Sequence, residues 1–157
     1  MSVIGKYILV FLVSMVPLVE LRGAVPIAIG LGLNEFLALG ISVLGNMIPV
    51  PIIYLFARKT LEWGKDKKVI GKFFNWCLNK GERVGQKLEA KAGKGLYWAL
   101  FVFVGIPLPG TGAWTGTLAS SMLKLDFKKT VIAVLAGIIL ASLIMLLLSL
   151  GVFGVIF

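Results

Sequence analysis

Two charged side chains, Glu20 and Arg22, lie inside the apolar stretch VPLVELRGAVP, which runs from Val16 to Pro26. A charged residue at the centre of a bilayer costs roughly 2.5 to 3.5 kcal/mol on insertion scales, so ionisable residues there are candidates for function. Arginine offers a forked donor that fits phosphate or carboxylate. Burial favours the protonated form of a carboxyl group, whereas a nearby arginine favours the ionised form. The pair therefore indicates an anion site with Glu20 as its proton switch.

A second group of candidates lies in GIPLPGTGAWTG, residues 105–116, where prolines and glycines interrupt another apolar stretch. Proline removes a backbone donor and clashes with the preceding helical turn, so we expect neither stretch to form one continuous helix. Each would divide into two arms of about 10 to 13 residues, and such an arm spans only about half of the hydrocarbon core. This geometry predicts two re-entrant hairpins.

The returning arm of each hairpin is expected to begin near its tip. In the first hairpin it would follow Gly23, with Pro26 in the first turn; in the second it would follow Gly110 or Gly112, with Thr111 as the cap. Helix N-termini expose unpaired N–H groups that attract anions, so two such ends would meet at an anion site in mid-membrane. The candidate binding residues are Glu20, Arg22, Gly23, Pro26, Pro107, Pro109, Gly110, Thr111 and Gly112.

Each candidate also has a structural interpretation. Residues two apart do not share one helix side, so either the first tip is unwound or Glu20 and Arg22 find partners in the other hairpin. A permanent buried ion pair between the two charges is the alternative to a ligand role. For the tip of the second hairpin, the structural alternative is a kink with close helix packing. For Asn46, it is a bridge between helices rather than a position on the substrate path.

The composition places these residues in a membrane protein. Of the 157 residues, 59% are hydrophobic and 15% are charged, and the mean hydropathy is +0.99. These values lie far outside the range of soluble domains. The net charge of +9 does not predict nucleic-acid binding, because 11 of the 16 basic residues lie between positions 58 and 94 and are typical of a topology signal. With one cysteine and no histidine, we expect no intramolecular disulfide, no metal site and no enzymatic activity.

The positive-inside rule orients the chain. If both interrupted stretches are re-entrant, the basic loops 58–94 and 124–129 are cytoplasmic and both termini lie outside. The predicted fold is an all-α polytopic protein of the cell membrane with two inverted repeats, each a re-entrant hairpin followed by a transmembrane helix. VPLVELRGAVP aligns faintly with IPLPGTGAWTG, pairing Pro17 and Leu18 with Pro107 and Leu108. The single domain 1–157 comprises hairpin 6–33, helix 35–57, segment 58–94, hairpin 95–123 and helix 128–157.

Segment 58–94 is predicted to be amphipathic and to lie on the cytoplasmic leaflet. Ile70, Phe73, Cys77, Val84 and Leu88 recur near helical spacing, with lysines on other faces. Glycine weakens helix interiors, and the segment contains four between positions 71 and 93, so two shorter helices are expected rather than one long helix.

The motifs ELRGAVPIAIG and GIPLPGTGAWTGTLAS resemble the family named putative small multidrug export protein, and the first is also similar to the wider DedA-like, or VTT-domain, superfamily. The resemblance implies two re-entrant hairpins of opposite orientation and the transport or scrambling of lipids, including polyprenyl-phosphate carriers. It also implies that Glu20 and Arg22 are the essential membrane acid and arginine. The second hairpin departs from many DedA proteins, because it carries no charge.

Taken together, these patterns predict a transporter that moves an anionic amphiphile, such as a phospholipid or polyprenyl phosphate, by alternating access at the hairpin tips. The alternatives are a proton-coupled multidrug exporter with Glu20 as the cation site, and a non-transporting membrane assembly protein. We expect no cofactor other than a coupling proton or sodium ion, and no nucleic-acid partner. A homodimer is expected, because so short a chain encloses little volume alone.

Overall fold

A computed structural model describes residues 1–92 and 95–156, which are helical apart from turns and short loops. This confirms the prediction of an all-α chain. Its elements, in order, are α1 (Val3–Met15), α2 (Glu20–Gly30), α3 (Glu35–Met47), α4 (Pro49–Ile52), a π-helical turn (Ile53–Ala57), α5 (Arg58–Gly64), α6 (Gly71–Ala92), α7 (Leu96–Gly105), α8 (Ala113–Met122) and α9 (Phe127–Ile156).

Two continuous helical stretches are long and apolar enough to cross a membrane. One is Glu35–Ala57, 23 residues with a mean hydropathy of 2.0, and the other is α9, 30 residues with a mean hydropathy of 3.1. Both exceed the roughly 20 residues that a hydrocarbon core requires. The first continues through Pro49 and Pro51 into the π-helical turn, a widened turn of the kind often found at functional sites. These two candidate membrane spans coincide with the two helices that the sequence predicts to cross the membrane.

The helices α1 and α2 form an antiparallel pair, which we call the first hairpin. Its first tip is the non-helical segment Val16–Val19. At the opposite end, Lys6 Nζ near the start of α1 donates to the Leu31 carbonyl, at 3.0 Å, just beyond α2. Buried Val10 of α1 packs with Ala24 and Ala28 of α2, and these small side chains let the two helices approach closely.

The helices α7 and α8 form the second hairpin, and its second tip is the segment Ile106–Gly112. Gly116 of α8 faces Leu100 and Val104 of α7. Val104 also lies against Gly137 of α9, and the same apolar cluster joins α7, α8 and α9 to Leu21 and Val25 of α2. The two hairpins therefore share one core.

Local backbone features recur at a spacing of 92 residues. The described residues with positive φ form three pairs, at positions 18 and 110, 20 and 112, and 32 and 124. In the same register, Asn34 caps α3 by accepting from the Leu37 amide at 3.1 Å, and Asp126 caps α9 by accepting from the Lys129 amide at 2.9 Å. The alignment expected from the sequence pairs Leu18 with Leu108, and the backbone corrects this by two positions.

Between positions 58 and 92 the chain forms two helices, α5 and α6, as expected, but α6 runs unbroken through 22 residues and has no break at its interior glycines. Tertiary packing outweighs the low helix propensity of glycine here. A Cβ at Gly81 would lie 3.0 Å from atoms of Leu118 and Met122, and one at Gly85 would lie 3.3 Å from Leu123. The two glycines thus let α6 pack directly on α8.

Candidate functional site

The carboxylate of Glu20 caps a helix of the other hairpin. Glu20 is 4% exposed and accepts from the backbone N–H of Ala113 at 3.2 Å and of Trp114 at 3.0 Å, the first two residues of α8. The local N-cap, Gly112, has no side chain to accept these bonds. The first amides of a helix have no intrahelical acceptor, and the positive end of a helix favours an anion. Glu20 supplies the acceptor and the negative charge for α8, although it is 93 residues from Ala113 in the sequence.

Glycine at position 112 is required by this contact. Its φ is +136°, a conformation that residues with a Cβ rarely adopt, and a Cβ there would overlap the Glu20 carboxylate. Glu20 itself has φ +51° and Leu18 has φ +72°. Left-handed backbone at two non-glycine residues stores strain that the surrounding contacts must offset, and such strain concentrates at functional sites.

The guanidinium of Arg22 binds the second tip. Its Nη1 donates to the Leu108 carbonyl, and its Nη2 donates to Thr111 Oγ1 at 2.6 Å. The Thr111 hydroxyl lies 2.9 Å from the Ile106 carbonyl and 2.8 Å from the Leu108 carbonyl, either of which accepts its proton. Arginine therefore holds the second tip through both a carbonyl and a hydroxyl, as its forked donor geometry allows.

The side chain of Trp114 adds a fifth hydrogen bond between the hairpins. The indole Nε1 of Trp114 donates to the Met15 carbonyl at the end of α1, at 3.1 Å. Glu20, Arg22 and Trp114 thus join the two tips through five hydrogen bonds. We call this set the tip junction.

The two charges bind separate groups across the tip junction rather than each other. Glu20 and Arg22 interact electrostatically, but these two described side chains form no direct ion pair. The first tip is unwound, and each charge has its partner in the other hairpin, so both arrangements that the sequence allowed occur together. A ligand that competes for Arg22 must displace contacts to the second tip.

Three of the nine candidate residues, Gly23, Pro26 and Thr111, lie elsewhere than the sequence predicted or bond differently. The helix α2 begins at Glu20, so Gly23 and Pro26 lie inside it rather than at its start. Thr111 does not cap α8, because its hydroxyl faces the carbonyls of the second tip. The helix α8 begins directly after Gly112, which is one of the two predicted starts, and Glu20 provides its cap. Pro107, Pro109 and Gly110 lie in the second tip as expected.

Asn46 of α3 belongs to the site more directly than its sequence context predicts. It is 1% exposed and its amide faces the Glu20 carboxylate. Neither its Oδ1 nor its Nδ2 meets hydrogen-bond geometry with another described group. One turn earlier, the buried Ser42 hydroxyl is also unpartnered among the described residues. The spacing of Ser42 and Asn46 on one face of an apolar helix was the available signal.

A positive charge reaches the second tip from outside its hairpin. The Nζ atom of Lys80 in α6 lies 3.4 Å from the position that a Cβ of Gly110 would occupy. The second hairpin has no charged residue of its own, so a basic group at its tip was not expected from the sequence. Only the packing of α6 on α8 brings Lys80 there.

These features define an all-helical membrane protein whose two broken helix pairs meet at a buried, charged junction. Residues 20–144 match the family model described as "Putative small multi-drug export protein", and the chain belongs to that family. The matched range contains all nine candidate residues. No curated protein and no solved structure matches the chain. The relationship to the DedA-like superfamily stays a prediction.

Proposed function

We propose that this protein is a membrane transporter that moves an anionic amphiphile, of the phospholipid or polyprenyl-phosphate type, past the tip junction by alternating access. The observation that carries the proposal is the position of its charges. Glu20 and Arg22 make four of the five hydrogen bonds of the tip junction, so a change at either charge alters how the tips are joined. Buried ionisable groups of this kind mark transport pathways and proton relays.

Protonation of Glu20 is the step that would release the tips. A carboxylate holds the amides of Ala113 and Trp114 through charge-assisted bonds, each worth about 1.5 to 3 kcal/mol. Protonation removes the negative charge from the positive end of α8 and weakens both bonds. An anionic head group would then bind the exposed amides and compete with the second tip for Arg22.

The re-entrant topology is part of the same proposal. The four hairpin arms contain 13, 11, 10 and 10 residues, which corresponds to about 15 to 20 Å each and about half of a hydrocarbon core. The recurrence of backbone features at a spacing of 92 residues supports two repeats, and one membrane crossing in each repeat would give them opposite orientations. In this topology the tip junction is at mid-membrane, both termini are outside, and segment 58–94 belongs to the cytoplasmic side, from which α6 extends along α8 so that Lys80 reaches the second tip.

Head-group accessibility in proteoliposomes tests the proposal. Liposomes carry a trace of phosphatidylglycerol with a fluorescent head group, and a membrane-impermeant reductant bleaches the outer leaflet. The native protein should allow bleaching of both leaflets, and Arg22→Ala should leave the inner leaflet protected. Lys6→Ala is the matched control, because Lys6 also bonds a carbonyl of the first hairpin but at the end away from the tip. Equal bleaching with native protein and Arg22→Ala contradicts the proposal.

A proton-coupled exporter of small cationic molecules is the second candidate, and the family match favours it. In that mechanism a cation replaces the proton at Glu20, and Arg22 serves only to hold the second tip. The charge of the substrate distinguishes the two candidates in the native protein. A cation exporter should drive uptake of ethidium into inverted vesicles and leave the inner-leaflet phosphatidylglycerol protected from the reductant, whereas the anion transporter should give the reverse result.

A further inference from the structure

An apolar cavity of about 450 Å³ lies beside the tip junction, between the first tip, the π-helical turn, α6 and α8. Its lining includes Pro17 and Leu18 of the first tip, Ile53, Phe74, Cys77 and Trp114. Its volume is in the range of cavities that hold small ligands, and an apolar wall with few polar groups is the usual lining of such sites.

A basic cleft of about 380 Å³ adjoins this cavity on α6. Asn79, Lys80, Arg83 and Lys87 line it together with Trp76, and both Trp76 and Lys80 also line the apolar cavity. The Lys80 ammonium lies 4.9 Å from the centroid of the Trp76 ring. The two spaces therefore meet at a cation held over an aromatic ring, with cationic side chains on one side and apolar side chains on the other.

We propose that the apolar cavity and the basic cleft together bind one anionic amphiphile, with its head group on Lys80, Arg83 and Lys87 and its tail in the apolar cavity. The charge of the cleft selects an anion, and the apolar lining selects a hydrocarbon chain. Neither space alone suits the whole ligand. The inference rests on the proposed function in identifying this ligand with the transported substrate.

The position of the site connects it to the tip junction. Trp114 lines the apolar cavity while its backbone N–H binds Glu20 and its indole binds Met15. Leu18 lines the same cavity and belongs to the first tip. Arg22 has Nη1 and Nη2 bonded to the second tip, so Lys80 is the cation that a head group meets first. Occupation of this site thus precedes release of the tips.

The single cysteine provides the assay, because Cys77 lines the apolar cavity. Native protein in dodecyl maltoside is alkylated with N-ethylmaleimide, with and without dodecyl phosphate. At a free concentration about nine times its Kd, dodecyl phosphate should slow alkylation about tenfold, because only the empty fraction of the cavity reacts. Inorganic phosphate should not slow it, because it has no tail, and dodecyltrimethylammonium should not slow it, because the cleft repels it.

Lys80→Gln should reduce the protection by dodecyl phosphate to about twofold, because the loss of one charge-assisted contact raises Kd about tenfold while Arg83 and Lys87 remain. Burial raises the pKa of the Cys77 thiol and the Lys80 charge lowers it, so the variant also slows alkylation without ligand. The readout is therefore the ratio of rates with and without ligand in each variant. Lys68→Gln, an exposed lysine outside both spaces, is the control and should keep the native ratio.

Three results overturn the inference: full protection in Lys80→Gln, protection by inorganic phosphate alone, and stronger protection by dodecyltrimethylammonium than by dodecyl phosphate. Binding is measured here without transport. If dodecyl phosphate protects Cys77 but the reductant bleaches only the outer leaflet, the proposed function is contradicted and the binding site is supported. If both leaflets are bleached but dodecyl phosphate does not protect Cys77, only the binding site is contradicted.

Discussion

The change Glu20→Gln tests the capping of α8 by the first hairpin. Glutamine has nearly the same shape as glutamate but loses the charge, and its amide group presents only one oxygen to the two N–H groups of Ala113 and Trp114. One bond is kept in weakened form and one buried amide is left without an acceptor. The loss of one bond to a charged group amounts to about 1.5 to 3 kcal/mol.

Hydrogen–deuterium exchange followed by mass spectrometry measures this loss locally. A change of about 1.5 to 3 kcal/mol corresponds to a roughly 10- to 100-fold faster exchange at the start of α8. Peptides from α9 should exchange as in the native protein, because the perturbation is confined to the tip junction. The measurement needs no reversible unfolding of the whole membrane protein.

Glu35→Gln is the matched control for this experiment. Glu35 lies in the first turn of α3, whose N-terminus is capped by Asn34 instead. The same chemical change there should leave exchange in α8 unaltered. Unchanged protection of α8 in Glu20→Gln, or an equal loss in Glu35→Gln, would refute the capping argument.

Two further pairs of substitutions test the backbone at the tips and turns. Gly112→Ala places a Cβ at φ +136° against the Glu20 carboxylate and should lower the free energy of unfolding in detergent by about 1 to 3 kcal/mol, whereas Gly40→Ala, which has open space around it, should not lower it. Lys124→Gly relieves the left-handed backbone at φ +54° and should raise the thermal unfolding midpoint. The free energy of unfolding should rise by up to about 1 kcal/mol, because the added freedom of glycine in the unfolded chain offsets part of the relief. Gly32→Lys, the reciprocal change at φ +68°, should lower that midpoint; the opposite order in either pair contradicts these assignments.

The long helices were accessible from the sequence because their signal is local. Hydropathy alone marks Glu35–Ala57 and α9 as membrane-length helices, and Asn34 and Asp126 are residues that commonly cap helices. Prolines and glycines likewise marked both interruptions. At Gly110 and Gly112 the residue type agrees with the positive φ that the structure shows.

The remaining features depend on contacts between distant parts of the chain. No local rule predicts positive φ at Leu18 or Glu20, so the start of α2 at Glu20 was missed and Pro26 was placed in the wrong turn. The cap of α8 comes from the other hairpin, and therefore Thr111 was chosen wrongly. The continuity of α6 through Gly81 follows from its contact with α8, which the spacing of residues cannot show.

The separation of the two tips is the quantity that tests the tip junction most directly. Spin labels at Leu18 and Leu108, which are 62% and 56% exposed, report the distance between the tips by pulsed electron paramagnetic resonance in a Cys77→Ser background. With Glu20 and Arg22 intact, we predict one short distance. Glu20→Gln should add a second, longer distance as the tips separate. An identical single distance in both proteins would contradict the claim that Glu20 holds the two hairpins together.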